Sequence, residues 1–423
     1  MDFTKMTGAE LLHEKEALDG RYAAFQARKL NLDMTRGKPC AEQLALSNPM
    51  LDILNSQSDF RSPDGPDYRN YGMGNGLPEV RGIFARMMGV DAGHVILGGN
   101  SSLNMMFDTV ACGMTHGFAG CRPWAGQSGL KFLCPSPGYD RHFLVTDYFG
   151  FEPVVIPMTE DGPDMDAVEE AVKDPAVKGI WCVPKYQNPT GVVFSDETVR
   201  RFAHLKPAAE DFRIFWDNAY CVHDLTDTPC RLLSLWDECA SAGTLESVFF
   251  FASTSKITFP GAGLAALACG DENYRELRKR FGVQIISPDK LNEFRHLLFL
   301  KDFDGVLAQM KRHRAIIAPK FQAVEDVLDR ELSGKHVASW SNPKGGYFIS
   351  VDVMRGCARR VVSLCSAAGV KLTPAGATYP RGNDPHDANI RVAPTCPSVA
   401  ELKQAMELFC VAVQIAAAEK LLG

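Results

Sequence analysis

The stretch Phe249–Gly263, FFFASTSKITFPGAG, decides how the rest of the chain is read. Val248–Ala252 has the apolar, aromatic-rich composition of a buried strand. A hydroxyl cluster follows at once (Ser253, Thr254, Ser255), then a single lysine, Lys256, and a turn at Pro260-Gly261. A lysine just past the end of a buried strand loses hydration, which is tolerated only where the amine has a partner or a use. Burial lowers the ammonium pKa and frees the amine as a nucleophile, the setting in which Schiff-base lysines occur. The Ser-Lys pair alone fits an ordinary loop lysine as well, so the flanking sequence has to decide.

Outward from this stretch, short apolar runs alternate with helix-patterned segments. RIFWDNAY (213–220) is a strand with Asp217 and Tyr220 at its end. GIWCVPK (179–185) leads into Tyr186-Gln187-Asn188-Pro189-Thr190-Gly191, and KFLCPSP (131–137) into Gly138-Tyr139 and a helix. HVILGG (94–99) ends in Gly98-Gly99, and Asn100-Ser101-Ser102 opens the next helix. Glycines followed by capping residues leave free backbone N–H groups at a helix start, which is either a plain turn or an anion site. The alternation with short connections predicts an α/β fold, a mostly parallel sheet flanked by helices on both faces. Ligands of such sheets sit outside the carboxyl ends of the strands. Gly99, Tyr139, Asn188, Asp217, Ser253 and Lys256 all fall at such ends.

The pattern changes after residue 286. Ser287-Pro288-Asp289 starts a helix, with the proline expected in its first turn. A long helix follows from about Asp304 to Leu332. GYFISVDV and ANIRVAP read as strands, and the last helix opens at Ser398 with Glu401 completing a capping box. Residues 7–28 read as one helix that packs onto this part. We therefore expect a large α/β domain over 52–309 and a small α+β domain made of 1–51 and 310–423.

Composition narrows the function. The 423-residue chain carries a net charge of −6 and no basic run, which argues against nucleic-acid binding. No apolar run approaches the roughly 18 residues of a membrane span, and the N-terminus has no signal-peptide pattern. The 13 cysteines and 10 histidines are scattered, without C-x-x-C or H-x-x-x-H spacing. That argues against a metal site and for free thiols in a reducing cytoplasm.

In order along the chain, GGNSS, PGY, NPTG, DNAY, S-x-S-K and the arginine of NIRVAP resemble the motifs of pyridoxal-phosphate-dependent aminotransferases of fold type I. LDMTRGKPCAEQL, PDKLNEFRH and NIRVAPT are most similar to subgroup Ic aspartate aminotransferases. The resemblance implies that Lys256 binds pyridoxal 5'-phosphate covalently and moves the proton. It implies that Asp217 faces the ring nitrogen, keeping it protonated and electron-withdrawing. Tyr220 and Asn188 would bond the ring oxygen, Tyr139 would stack on the ring, and Gly99, Asn100, Ser101, Ser253 and Ser255 would surround the phosphate. Tyr71 would reach the phosphate of a neighbouring subunit, which implies a homodimer with shared sites. Arg391 would clamp the substrate α-carboxylate, a bidentate task suited to guanidinium, with Gly37 making a backbone contact beside it. The implied reaction is ping-pong transfer of an amino group from an amino acid, aspartate first among the candidates, to a 2-oxo acid such as 2-oxoglutarate. Arg36 and Lys290 are the candidate cations for a distal carboxylate. The chain departs from the family at Gly263, which stands where P-G-x-R relatives carry a phosphate-binding arginine. A lyase on the same scaffold and a catalytically silent cofactor-binding sensor are the competing readings.

Overall fold

The computed structural model describes residues 2–35, 37–62 and 65–423. In chain order the strands are β1 (Leu32–Met34), β2 (Val95–Leu97), β3 (Lys131–Ser136), β4 (Glu152–Thr159), β5 (Gly162–Pro163) and β6 (Val177–Cys182). They continue as β7 (Arg213–Asp217), β8 (Val248–Ser253), β9 (Ala265–Cys269), β10 (Ala338–Trp340), β11 (Ile349–Val353), β12 (Val370–Leu372) and β13 (Asn389–Val392).

Eight of them form one sheet in the order β2-β9-β8-β7-β6-β3-β4-β5. The pairs β4/β3, β3/β6, β6/β7 and β7/β8 are parallel, while β9 runs antiparallel to both β8 and β2. Every residue of β6 and β7 is buried, as a sheet covered by helices on both faces requires. The expected α/β class is what the chain adopts; β9 and the two-residue edge strand β5, which is antiparallel to β4, are the reversed members that leave the sheet mostly parallel. Parallel pairing sets Asp217 beside Phe251, so the ends of β7 and β8 open on the same edge of the sheet.

A second, smaller assembly holds the antiparallel sheet β10-β11-β13 and the parallel pair β1-β12. The helix Gly8–Ala27, capped by a Thr7–Glu10 box, buries Leu11, Leu18 and Phe25 in this core, against the final helix Val399–Leu422. The capping box at Ser398 and Glu401 forms as read from sequence. The 30-residue helix Phe303–Leu332 spans both assemblies. Val306 and Met310 join the core of the large sheet, whereas Phe321 through Leu332 join the smaller core, and Pro319 lies within the helix between them.

The helix Lys290–Leu300 differs from expectation at its start. Asp289 is the N-cap and accepts from the Asn292 N–H, so Pro288 lies outside the first turn rather than in it. This helix carries two buried charges that tie down the loop around Gly72. Lys290, 2% exposed, donates from Nζ to the Gly72 carbonyl at 3.0 Å and to Ser287 Oγ. Glu293 Oε2 accepts from the Leu77 N–H at 2.7 Å, while Oε1 is buried without a partner.

Burial pushes the Glu293 carboxyl from its ordinary 4.5 up to about 7. The folded chain then holds a proton that the unfolded chain releases between those values, so folding stability falls as pH rises through that window. Glu293→Gln lacks the group. Between pH 5 and pH 8 the wild type should lose about 2 kcal/mol more than the variant in urea unfolding; equal losses would show that the carboxyl titrates normally.

Candidate active site

Asp217 ends β7 and is 2% exposed. His142 Nε2 donates to its Oδ2 at 3.1 Å, and Oδ1 is buried with no partner. His142 is itself fixed. It stacks on Trp181 of β6 at 4.6 Å and 12°, and meets Tyr139 edge-on at 4.9 Å. Trp181 Nε1 in turn donates to Thr146 Oγ1 at 2.9 Å, on the same helix as His142, Asp140–Tyr148. The imidazole therefore has one orientation, set by packing on both sides.

Asp217 lines a cavity of about 240 Å³ at the carboxyl edge of the sheet, together with Lys256, Tyr139, Asn188, Tyr220 and the serines 101, 102, 253 and 255. A space of that size suits one small organic molecule rather than a chain segment. Lys256 is the only cation among the described residues that line it. Its Nζ stands over the rings of Tyr220 at 5.1 Å and Tyr347 at 5.9 Å. Burial lowers the Lys256 ammonium pKa, and the negative charge of Asp217 opposes that shift without cancelling it. Burial also raises the phenols, Tyr139 to about 12 and Tyr220 well above its ordinary value. Both stay neutral and keep an O–H to donate.

The hydroxyl cluster converges on one helix start. Ser253 Oγ donates to Ser255 Oγ at 3.0 Å, and Ser255 Oγ to the Asn100 carbonyl at 3.1 Å. Asn100 Nδ2 donates to the Pro260 carbonyl at 3.3 Å. Ser101 is the N-cap of the helix Ser102–His116, and its side chain leaves the first N–H groups uncapped. Free donors and the helix dipole make this end of the cavity an anion cradle. At Gly263 a Cβ would lie 3.0 Å from both the Phe259 carbonyl and Thr254 Oγ1. Asn292 Nδ2 also donates to the Gly263 carbonyl at 2.9 Å. The turn that elsewhere presents an arginine is here closed tightly on itself.

Arg391 on β13 lies just behind this cavity, 6% exposed. Its Nη1 donates to Asp140 Oδ1 at 2.9 Å and to Asn188 Oδ1 at 3.2 Å. Its guanidinium rests on the Phe348 ring at 4.8 Å. Gly37 explains the ring's position, since a Cβ there would come within 2.5 Å of it. Gly37 thus touches the arginine's support rather than lining the cavity.

Not every sequence candidate gathers here. Gly99 borders a neighbouring hollow beside Met105. Tyr71 is 72% exposed on the surface loop that Lys290 anchors. Lys290, read as a cation for a distal carboxylate, is instead engaged with Gly72 and Ser287, because its amine faces the loop's carbonyl. Arg36 lies outside the described residues. Sequence reading missed His142, Asp140, Phe348 and Ser102. The first two lie within one helical turn after Tyr139 in PGYDRH, close enough to the strand end to have been considered.

Leaving Asp217 without its imidazole should cost about 3 kcal/mol, since both carboxylate oxygens are then buried and unsatisfied. His142→Phe should lower the unfolding midpoint of the cofactor-free protein, and adding Asp217→Asn should recover part of the loss. Additive effects of the two changes would show that the pair is not coupled.

A family model for aspartate amino-transferase matches residues 6–423. A Mycolicibacterium smegmatis protein named as an aminotransferase is 47% identical over 426 residues, 100% of both chains. An aspartate aminotransferase of Corynebacterium glutamicum is 43% identical over 97% of this chain and 94% of its own. The crystal structure of an aspartate transaminase from the same organism superposes with a TM-score of 0.97 at 41% identity, covering 100% of this chain and 99% of that one. The fold is shared more distantly with an α-aminoadipate aminotransferase of Thermus thermophilus complexed with N-(5'-phosphopyridoxyl)-L-leucine. That match has a TM-score of 0.74 at 21% identity and covers 96% of this chain and 97% of that one.

Proposed function

The chain belongs to the aspartate aminotransferase family and is an aminotransferase of fold type I; on that premise we propose that it moves the amino group of aspartate to 2-oxoglutarate, using pyridoxal 5'-phosphate bound at Lys256. One observation carries the cofactor reading. A lysine with a lowered pKa and a buried carboxylate with an unanswered oxygen line the same small cavity. Asp217 Oδ1 lacks the donor that a protonated pyridine nitrogen would supply, and the serine-lined helix start offers a phosphate its N–H groups. The residues present therefore fit the group. In the absence of the arginine, its phosphate would be held by neutral donors and the dipole, with Lys256 the one cation among the described residues of the same cavity.

Bound pyridoxal 5'-phosphate supplies an electron sink that lets an amino acid's α-carbon give up its proton, and it stores the amino group between half-reactions. The chain's residues do the rest. Arg391 binds the α-carboxylate shared by all substrates and orients the α-carbon. Lys256 Nζ, poised by its lowered pKa, takes the proton from that carbon and returns it on the reverse pass. His142 holds Asp217 in place. Tyr220 and Asn188, which line the cavity, would donate to the ring oxygen of the bound group, and Tyr139 would cover its ring. The same cavity serves amino donor and oxo acceptor in turn, a ping-pong cycle. We divide the labour between a large part over 52–309, carrying the cofactor, and a small part made of 1–51 and 310–423, carrying Arg391.

Aspartate is favoured by the Corynebacterium glutamicum relative. Lys290 is not assigned to its distal carboxylate, given the engagement of that amine with Gly72. We place the enzyme in the cytoplasm, as its 13 free cysteines suggest; no helix among the described residues is long and apolar enough to cross a membrane.

Among aspartate, alanine and phenylalanine, aspartate should give the highest kcat/KM with 2-oxoglutarate. Lys256→Ala should abolish turnover, and borohydride reduction followed by peptide mapping should mark Lys256. A label on another lysine would sink the cofactor assignment, while an aromatic preference would sink the aspartate reading alone.

The reading includes a homodimer in which Tyr71 serves the partner's phosphate. Val283 is 88% exposed and Ile286 71%. Both lie just before Ser287, whose Oγ donates to the Gly72 carbonyl next to Tyr71. Mixing inactive Tyr71→Ala and Lys256→Ala proteins should restore part of the activity, because one intact site forms per mixed dimer. Confirmed subunit exchange without rescue would exclude sharing.

A further inference from the structure

We propose that Asp140 is an internal carboxylate that occupies Arg391 in the substrate-free enzyme and gives way to the α-carboxylate of each incoming substrate. The proposal rests on the reading of Arg391 as the α-carboxylate clamp.

An Arg Nη1 has two N–H bonds, and here both are taken, by Asp140 Oδ1 at 2.9 Å and Asn188 Oδ1 at 3.2 Å. Nε is buried and has no partner. Arg391 does not line the cavity that holds Lys256, although Asn188, its second partner, does. In this state Nη1 is taken up by the chain's own groups, and an entering carboxylate has to compete with Asp140 for it. The two anions cannot share Nη1 without repulsion.

The side chain able to leave is the aspartate. Arg391 is pinned on Phe348, which packs against Gly37, and its side chain is 6% exposed. The Asp140 side chain is 31% exposed and begins the helix Asp140–Tyr148. It can turn into water and remain favoured by the helix N-terminus while it does so. Asp140 also follows Tyr139, a residue of the cavity wall. The buried guanidinium thus keeps a counter-charge whether or not substrate is present, and one carboxylate is exchanged for another. Because the α-carboxylate is common to all substrates, the exchange weakens the binding of each by one shared factor and leaves side-chain selectivity untouched. Asp140 is accordingly a positioning residue, acting only through Arg391.

The test is Asp140→Asn in the holoenzyme, with Asp140→Ala as a second variant free of any remaining acceptor. Each should lower KM for aspartate and for 2-oxoglutarate by about three- to tenfold and by the same factor. The aspartate-to-alanine ratio of kcat/KM should not move. Calorimetric binding of succinate, which does not react, should tighten to the same extent, and Asp140→Glu should stay near the wild type. A rise in KM in both neutral variants would overturn the proposal, since Asp140 would then be needed to hold Arg391. A change confined to one substrate would also overturn it. Arg391→Lys separates the two layers. If that variant leaves KM unchanged for both substrates, the clamp reading fails. If it raises KM while the Asp140 variants do not lower it, the displacement alone fails.

Discussion

Asp217 is a buried carboxylate with one oxygen answered and one left open, and much of the surrounding architecture follows from that imbalance. A carboxylate so far from water needs donors in fixed places. His142 supplies one, and His142 is held in turn by Trp181 and Tyr139. These groups come from separate strands and a helix, so only the parallel order of β3, β6 and β7 brings them together. The open oxygen is the more informative half. Facing the cavity that Lys256 also lines, that acceptor is open to a further donor.

The second half of the site is built from the smaller assembly. Arg391 comes from β13, Phe348 from just before β11, and Gly37 from just after β1. Each is placed by contacts remote from Lys256, yet the arginine reaches Asn188 at the edge of the large sheet. The chemistry sits at a seam. One side carries the amine and the buried carboxylate, and the other carries the guanidinium.

Much of this was legible in the sequence, and the reason is geometric. Parallel strands put their carboxyl ends on one edge, so residues just past each apolar run are bound to meet, whatever their separation along the chain. That is why Asp217, Asn188, Tyr139 and Lys256 could be named together before any coordinates. What escaped lies where sequence carries no such rule. His142 and Asp140 are on a helix, one turn past a strand end, and their partners depend on how that helix is rolled. Gly37 packs against the face of a ring over 300 residues away, a steric contact that the local sequence does not reveal. Lys290 looked like a ligand because a lysine's charge is visible in sequence, whereas the carbonyl that absorbs it is not. Pro288 shifted out of its helix because Asp289 is the better cap.

The long helix Phe303–Leu332 has a mechanical consequence. At 1.5 Å per residue its 30 residues make a rod about 45 Å long, rooted in one core at its first turns and in the other at its last. Any shift of the Arg391 sheet relative to the Lys256 sheet has to be absorbed along that rod or at the seam. Pro319 has no N–H to offer the Ala315 carbonyl, so the ladder of the rod is missing a rung between its two anchorages. Bending stiffness is lowest at that point, and the rod is therefore a lever with its pivot already marked.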